Sequence, residues 1–231
     1  MFGAGGATVT ISDLPNSAGR ALADELGESV AFRSTDVTDE GQVTAAVDFA
    51  VRHGEGLDVC VNCAGINPGG RLLGPDGVPR SLDRFRSAIE VNLIGLVDVI
   101  RRSVAAMTAN EPNEDGERGL IVNLASIAAF EGQAGQSAYT ASKAGVGALT
   151  LQLARELAPV GIRVLAIAPG MMDTPMFEGI GEAERQALTD LHIFPRRLGR
   201  AAELAGLVRC LVETPMMNGA VIRIDAGARL R

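Results

Sequence analysis

The amino-acid sequence predicts a single doubly wound α/β domain over residues 1–231, a parallel sheet with helices on both faces. Three observations predict it. Short β-rich runs alternate with helical periodicity along the whole chain, at the spacing of right-handed βαβ units. The run LDVCVN at 57–62 is almost continuously apolar, the pattern of a strand covered on both faces. No linker, repeat or shift in composition marks off a second domain.

The elements follow in order. ATVTIS (7–12) is β-rich, and SAGRALADEL after it has a helical pattern. SVAFRS (29–34) is a second strand, and the segment at 38–54 repeats apolar residues at helical spacing. After the strand at 57–62 comes a loop rich in Gly and Pro, INPGGRLLGPDGVPR (66–80), then a long helix from Ser81 to about Ala109. NEPNEDGERG (110–119) is a polar turn, and GLIVNLAS (119–126) is the next strand. A helix starts at SAYTASKAG (137–145) and runs to about Pro159. IRVLAIAP (162–169) is a strand that Pro169-Gly170 ends. Residues 171–199 read as irregular and rich in Met, 201–213 as a helix and 219–227 as the last strand.

Composition limits the function classes. With 231 residues, 47% hydrophobic and 21% charged, the chain is an ordinary globular one, long enough for a substantial core. A net charge of -7 argues against nucleic acid or an anionic membrane as the main partner. The clusters Arg101-Arg102 and Arg196-Arg197-Leu198-Gly199-Arg200 either meet a phosphate or stay solvated. No apolar run is long enough for a membrane span, and the start lacks a secretory pattern. Three cysteines make a disulfide framework unfavoured and fit a reducing, cytoplasmic compartment. Cys60 and Cys63 are spaced C-x-x-C, but no helix opens after Cys63, so they read as small buried residues. His53 and His192 lack partners for a Ser-His-Asp centre, and no metal site is expected.

Ligands of such sheets bind beyond the carboxyl ends of the strands, where strand order reverses. Asp13 closes the first visible strand, where an acid accepts hydrogen bonds from an adenosine ribose and repels a 2′-phosphate, favouring NAD over NADP. Capping the helix after PNSAG is the competing role. Asp36, in Thr35-Asp36-Val37 at the end of the second strand, either contacts adenine or caps a helix. Asn62-Cys63-Ala64-Gly65 ends the third strand with small residues that permit close approach.

The most informative stretch is SAYTASKAG. Tyr139 is the chain's one tyrosine and Lys143 its one lysine; every other base is arginine. Their i, i+4 spacing on a helix puts both side chains on one face. Where arginine serves as the general surface cation, a retained lysine points to a task that a planar guanidinium cannot perform. An ammonium beside the phenol favours phenolate, lowering a pKa of ~10 toward working pH. With the Ser126 hydroxyl at the end of the neighbouring strand, this is an acid–base centre for an alcohol oxygen.

These residues carry a resemblance. Ser126 with Tyr139-Thr140-Ala141-Ser142-Lys143, Asn92 in VNLIG, Asn62-Cys63-Ala64-Gly65 and Pro169-Gly170 are similar to the motifs of the short-chain dehydrogenase/reductase family. The stretches DLPNSAG, NEPNEDGERG, SIAAFEGQAGQSAY and FPRRLG…NGAVIRIDAG resemble its branch acting on 3-hydroxyacyl-CoA and hydroxysteroid alcohols. The resemblance implies a Rossmann-like sheet, the cofactor NAD and a secondary alcohol or ketone substrate of the acyl-CoA type, in a homodimer or homotetramer. It implies Asn92, Ser126, Tyr139 and Lys143 as catalytic residues, with Asn92 holding a water that relays protons. It also implies Asp13, Asp36, Val37, Asn62, Ala64, Gly65, Tyr139, Lys143, Pro169, Gly170 and Thr174 around the cofactor. Gln133 and Gln136 reach the substrate or serve the loop. Met171, Met172, Met176 and Phe177 form an adaptable apolar wall in a lid over 171–195, or belong to the core. Ala144, Val146, Leu149 and Leu151 face either a second subunit or the sheet.

One departure stands out. The family opens with a strand, a glycine-rich turn and a helix before the strand that ends in the acid. Here MFGAGGATVTISD comes first, so that opening strand and helix are missing from the pattern. Gly3, Gly5 and Gly6 precede a strand, where a phosphate-binding turn requires a strand before and a helix after. They read as the end of a helix. The expected consequence is a sheet with a gap or with two strands closed up. Either the natural start lies upstream, or the protein is shortened and binds NAD weakly or not at all, a catalytically silent relative.

Overall fold

The computed structural model describes residues 3–174, 179 and 181–230. A short 3-10 turn, Gly3–Gly5, leads into β1 (Val9–Asp13), followed by α1 (Gly19–Leu26), β2 (Val30–Ser34), α2 (Glu40–Gly54) and β3 (Val59–Asn62). Next come α3 (Asp83–Ile89), a π-helical turn (Glu90–Gly95), α4 (Leu96–Met107), β4 (Gly119–Leu124) and α5 (Ser137–Leu157). The chain continues through β5 (Ile162–Pro169), α6 (Glu182–Thr189), α7 (Ala201–Val212) and β6 (Val221–Ile224). All strand pairs are parallel, in the order β2-β1 and then β3-β4-β5-β6. This is the doubly wound α/β arrangement.

The centre is β4 and β5. Leu120, Ile121, Val122, Leu165 and Ile167 are all buried, as expected of strands covered on both faces. Ile121, Val164 and Ala166 pack with Leu96 and Ile100 of α4 and Val146 of α5, whereas Leu120, Val122 and Leu165 pack with Val208 and Leu211 of α7. Each fully buried Leu, Ile or Val side chain contributes ~1.5–3 kcal/mol of transfer free energy. The buried Arg163 guanidinium is compensated by Glu117 at 2.9 Å and by the carbonyls of Leu211 and Met217, each at 3.0 Å.

The sheet is split at its switch point. β1 pairs with β2 and β3 with β4, and among the described residues no strand joins β1 to β3. Of the two expected outcomes, the gap is the one found. A cleft of about 190 Å³ separates the strands, with Thr10 and Ser12 on one wall, Val59 and Asn62 on the other, and Val43 and Ala46 of α2 beneath. The carboxyl ends still align. Val37, just past β2, presses its carbonyl on Gly95, where a Cβ would come within 2.8 Å, and Ile66, past β3, bonds Asn92 of the same turn.

Several sequence-based expectations are corrected. The helix predicted from Ser81 to Ala109 runs over 83–107 and is interrupted by the π turn holding Asn92. Residues 171–199 are not wholly irregular, since α6 lies within them; it is polar overall and has no buried residue. The run 57–62 is not covered on both faces, because Val61 at the open edge is 36% exposed. The last strand is Val221–Ile224, shorter than 219–227, because Gly219 and Gly227 both take positive φ. Val146 is fully buried against the sheet, while Leu151 is exposed.

Candidate active site

The site forms where β4 ends and α5 begins. Beyond β4 the chain stays extended at Ser126, whose Oγ accepts from the Ala128 amide at 3.1 Å and starts a 3-10 turn. Tyr139 lies in the first turn of α5, and Lys143 lies one turn further. The Lys143 Nζ donates to the Leu124 carbonyl at 2.7 Å, tying helix to strand, and lies 5.9 Å from the Tyr139 ring centre. Ser142 Oγ donates to the Tyr139 carbonyl at 2.8 Å and accepts from Asn92 Nδ2 at 3.0 Å. Asn92, fully buried, also donates from Nδ2 to the Ile66 carbonyl at 2.9 Å, and its Oδ1 accepts from the Ile66 amide at 2.8 Å. The Asn92 side chain joins the loop after β3, the π turn and α5, with both of its amide protons committed within the protein.

Electrostatics correct one expectation. Burial pushes the Tyr139 phenol above its usual range, opposed by the Ser126 hydroxyl. The ammonium was expected to lower it, but at this separation burial prevails. Burial also pushes the Lys143 ammonium down, to about 8. Cys60 behaves as a buried thiol, pushed up to about 11 by desolvation.

A cavity of about 300 Å³ opens over these groups. It brings together Ser126, Tyr139 and Lys143 with Gly65, Pro169, Gly170 and Thr174, and with the substrate candidates Gln133, Gln136 and Met171. Val37, Asn62 and Ala64 lie instead along the cleft between the sheets. Asn62 Nδ2 donates to Asn123 Oδ1 at 2.9 Å, so its side chain fastens β3 to β4. Asp13 is exposed and accepts from the Leu14 amide at 2.7 Å; α1 has Ala18 at its N-cap, so Asp13 does not cap it. Asp36 accepts from Thr38, and α2 is capped by Asp39, so Asp36 is no helix cap either. Met176 and Phe177 lie outside the described residues.

Sequence reading missed three features. Leu188 of α6 lines the cavity, as does Leu230, more than ninety positions beyond Tyr139 in the sequence. A second, larger cavity of about 730 Å³ adjoins the first at Gln136 and Tyr139 and is bordered by Arg71, Arg80 and Arg84. Its arginines were visible, scattered through a loop read only for its Gly and Pro.

A Ser–Tyr–Lys centre at the carboxyl ends of a parallel sheet defines an oxidoreductase that moves a proton on or off an alcohol or carbonyl oxygen. Comparison with known proteins supplies the family. The family model described as "Enoyl-(Acyl carrier protein) reductase" matches residues 1–229. The chain is 46% identical over 226 residues to the 3-hydroxyacyl-CoA dehydrogenase type-2 of Drosophila melanogaster, covering 97% of this chain and 89% of the relative. It is 44% identical over 227 residues to the Homo sapiens protein of the same name, covering 98% and 87%. The crystal structure of 3-hydroxyacyl-CoA dehydrogenase type-2 from Mycobacterium avium superposes with a TM-score of 0.92 at 41% identity, over 99% of this chain and 88% of that one. The chain belongs to the short-chain dehydrogenase/reductase family.

The family implies a nicotinamide dinucleotide and a small-molecule substrate. The residues fit the nicotinamide half: the buried Lys143 ammonium and Thr174 border the cavity, and at Gly65 a Cβ would lie only 3.4 Å from Nζ. At the pyrophosphate end, the described residues offer no helix N-terminus following a strand at the break; Gly3–Gly5 lead into β1 instead. No helix among the described residues is long and apolar enough to cross a membrane.

Proposed function

We propose that the protein interconverts a 3-hydroxyacyl-CoA and its 3-ketoacyl-CoA with NAD as cofactor. The observation that carries this reading is the convergence of Ser126, Tyr139 and Lys143 on one cavity that opens, at Tyr139, into an arginine-bordered groove. Arg71 and Arg80 are exposed there and suit the phosphates of a coenzyme A, whose acyl end would enter the smaller, more apolar cavity.

A nicotinamide dinucleotide, when bound, supplies the two-electron acceptor or donor for the substrate carbon. The Ser126 hydroxyl holds the substrate oxygen. Tyr139 gives a proton to a ketone oxygen as phenol or takes one from an alcohol as phenolate. Burial holds the phenol toward its proton-donating form, the form that ketone reduction requires. Lys143, anchored on the Leu124 carbonyl, is placed to hold a ribose hydroxyl. Asp13, with an exposed carboxylate, favours NAD by repelling a 2′-phosphate. We also propose a homodimer or homotetramer through α4 and α5, where Val97 and Leu151 are exposed, and a cytoplasmic setting.

One observation favours a second reading. The break between β1 and β3 falls where the cofactor's pyrophosphate belongs, which suits a silent protein acting by assembly or ligand binding. Turnover separates the two. With NADH and acetoacetyl-CoA, the wild type should oxidise NADH, and Tyr139→Phe should lose ~10²–10⁴-fold in kcat with KM little changed. A Tyr139→Phe variant as active as the wild type would refute the assigned chemistry.

A further inference from the structure

The C-terminal tail reaches the active-site cavity, and Glu131, a carboxylate from outside the tail, grips its last described residue by the backbone amide. Glu131 sits just beyond the 3-10 turn that Ser126 starts. Its Oε1 accepts from Arg223 Nη1 at 2.7 Å, and its Oε2 accepts from the Leu230 amide at 3.0 Å. Arg223 completes the bracket: Nε donates to Asp225 Oδ2 at 2.6 Å and Nη2 to the Ala228 carbonyl at 3.0 Å. The guanidinium also lies 5.4 Å from the Phe130 ring centre. Each of these groups is partly shielded, with the Glu131 side chain 21% exposed and Arg223 25%, so solvent screens the pair less than a surface one.

What the bracket presents is Leu230. Its side chain, 9% exposed, packs with Ile127, Ala128, Tyr139, Met171 and Leu191, and it borders the same cavity as Ser126 and Tyr139. The tail has no strand or helix of its own at this point. Ile193 and Phe194 bond the Ala226 carbonyl upstream, and the end of the tail at Leu230 is fixed by Glu131, itself paired with Arg223.

We propose that Glu131 is a specificity-determining positioning residue: by clasping the tail through Arg223 and the Leu230 amide, it fixes Leu230 as a cavity wall that limits the length of the substrate's apolar chain. The acyl character of that substrate rests on the function proposed above; the clasp itself does not. Releasing the clasp removes a wall near the reacting centre without touching the groups that move the proton. Each newly admitted methylene is worth about tenfold in discrimination at such a pocket.

The test compares wild type, Glu131→Gln and Leu230→Ala in two assays. The first is NADH-dependent reduction of 3-ketoacyl-CoA substrates of four, eight and twelve carbons. The second is displacement of an apolar fluorescent dye by methyl ketones of the same lengths, which requires neither cofactor nor turnover. Both variants should raise the long-to-short ratio about tenfold or more, chiefly in KM and in dye displacement. The double variant should equal Leu230→Ala alone, because both act through one wall. Parallel length profiles in all proteins, or a uniform loss at every length, would overturn the clasp. Leu230→Ala keeps the ion pairs and supplies the readout should Glu131→Gln unfold. If no acyl-CoA is turned over yet dye displacement shifts with length, the activity reading fails and the clasp stands.

Discussion

At the scale of residues, Lys143 is where composition and structure meet most directly. A chain that otherwise uses only arginine places its one ammonium 4% exposed under the end of β4, with Nζ on the Leu124 carbonyl. A guanidinium is longer and planar and does not fit that point contact. Burial holds the pKa near 8, below the 10.5 of a free lysine, so the unfolded chain binds this proton more tightly. The resulting penalty is present in full below about pH 8 and is relieved as pH rises to about 10.5. In urea unfolding at pH 8 and pH 10, stability of the wild type relative to Lys143→Met should therefore rise with pH; a constant difference contradicts the assigned burial. The Tyr139–Lys143 pair was legible because its identity and spacing are local. The direction of the Tyr139 shift was not, because it depends on how deeply the phenol is buried. Nor was Leu230, since no local pattern records a contact with Glu131 99 positions away.

At the scale of elements, the π-helical turn Glu90–Gly95 does most to assemble the site. It carries Asn92 to Ile66 and Ser142 and brings Gly95 under the Val37 carbonyl. A Cβ at Gly95 would meet that carbonyl at 2.8 Å and the Val37 side chain at 2.9 Å, all in a buried place. Gly95→Ala should therefore destabilise by ~1–3 kcal/mol and lower kcat by loosening Asn92; a thermal melt and an NADH assay check both, and a neutral substitution contradicts the close packing. Helical periodicity predicted one continuous helix here, because a turn widened by one residue leaves the apolar pattern nearly intact. The strands were better marked: β4 and β5 are buried on both faces, and their uninterrupted apolar runs record it. α6 was missed because it is largely exposed, so no apolar stripe announces it.

At the scale of the whole molecule, the proposed Ser126–Tyr139–Lys143 centre adjoins a sheet divided between β1 and β3. The division matches the sequence pattern, in which the first described strand, β1, already ends in Asp13. That the strands leave a gap is a matter of packing: α2 sits beneath the cleft and holds β1 by its Thr10 and Ser12 face, while β3 is fastened to β4 through Asn62 and Asn123. The facing edges of β1 and β3 are left unpaired, and the two halves meet instead through α2 and α4, where Glu40 pairs with Arg101 and Arg102. The nicotinamide end of the cofactor site is thus formed, while the pyrophosphate end borders the gap. The central claim is that this centre still works on a bound nicotinamide dinucleotide. Titration of the protein with NADH, followed by nucleotide fluorescence, tests it most directly. The account predicts saturable binding in the micromolar to submillimolar range, weakened by Lys143→Met and tighter than for NADPH. No fluorescence change up to millimolar NADH would contradict it.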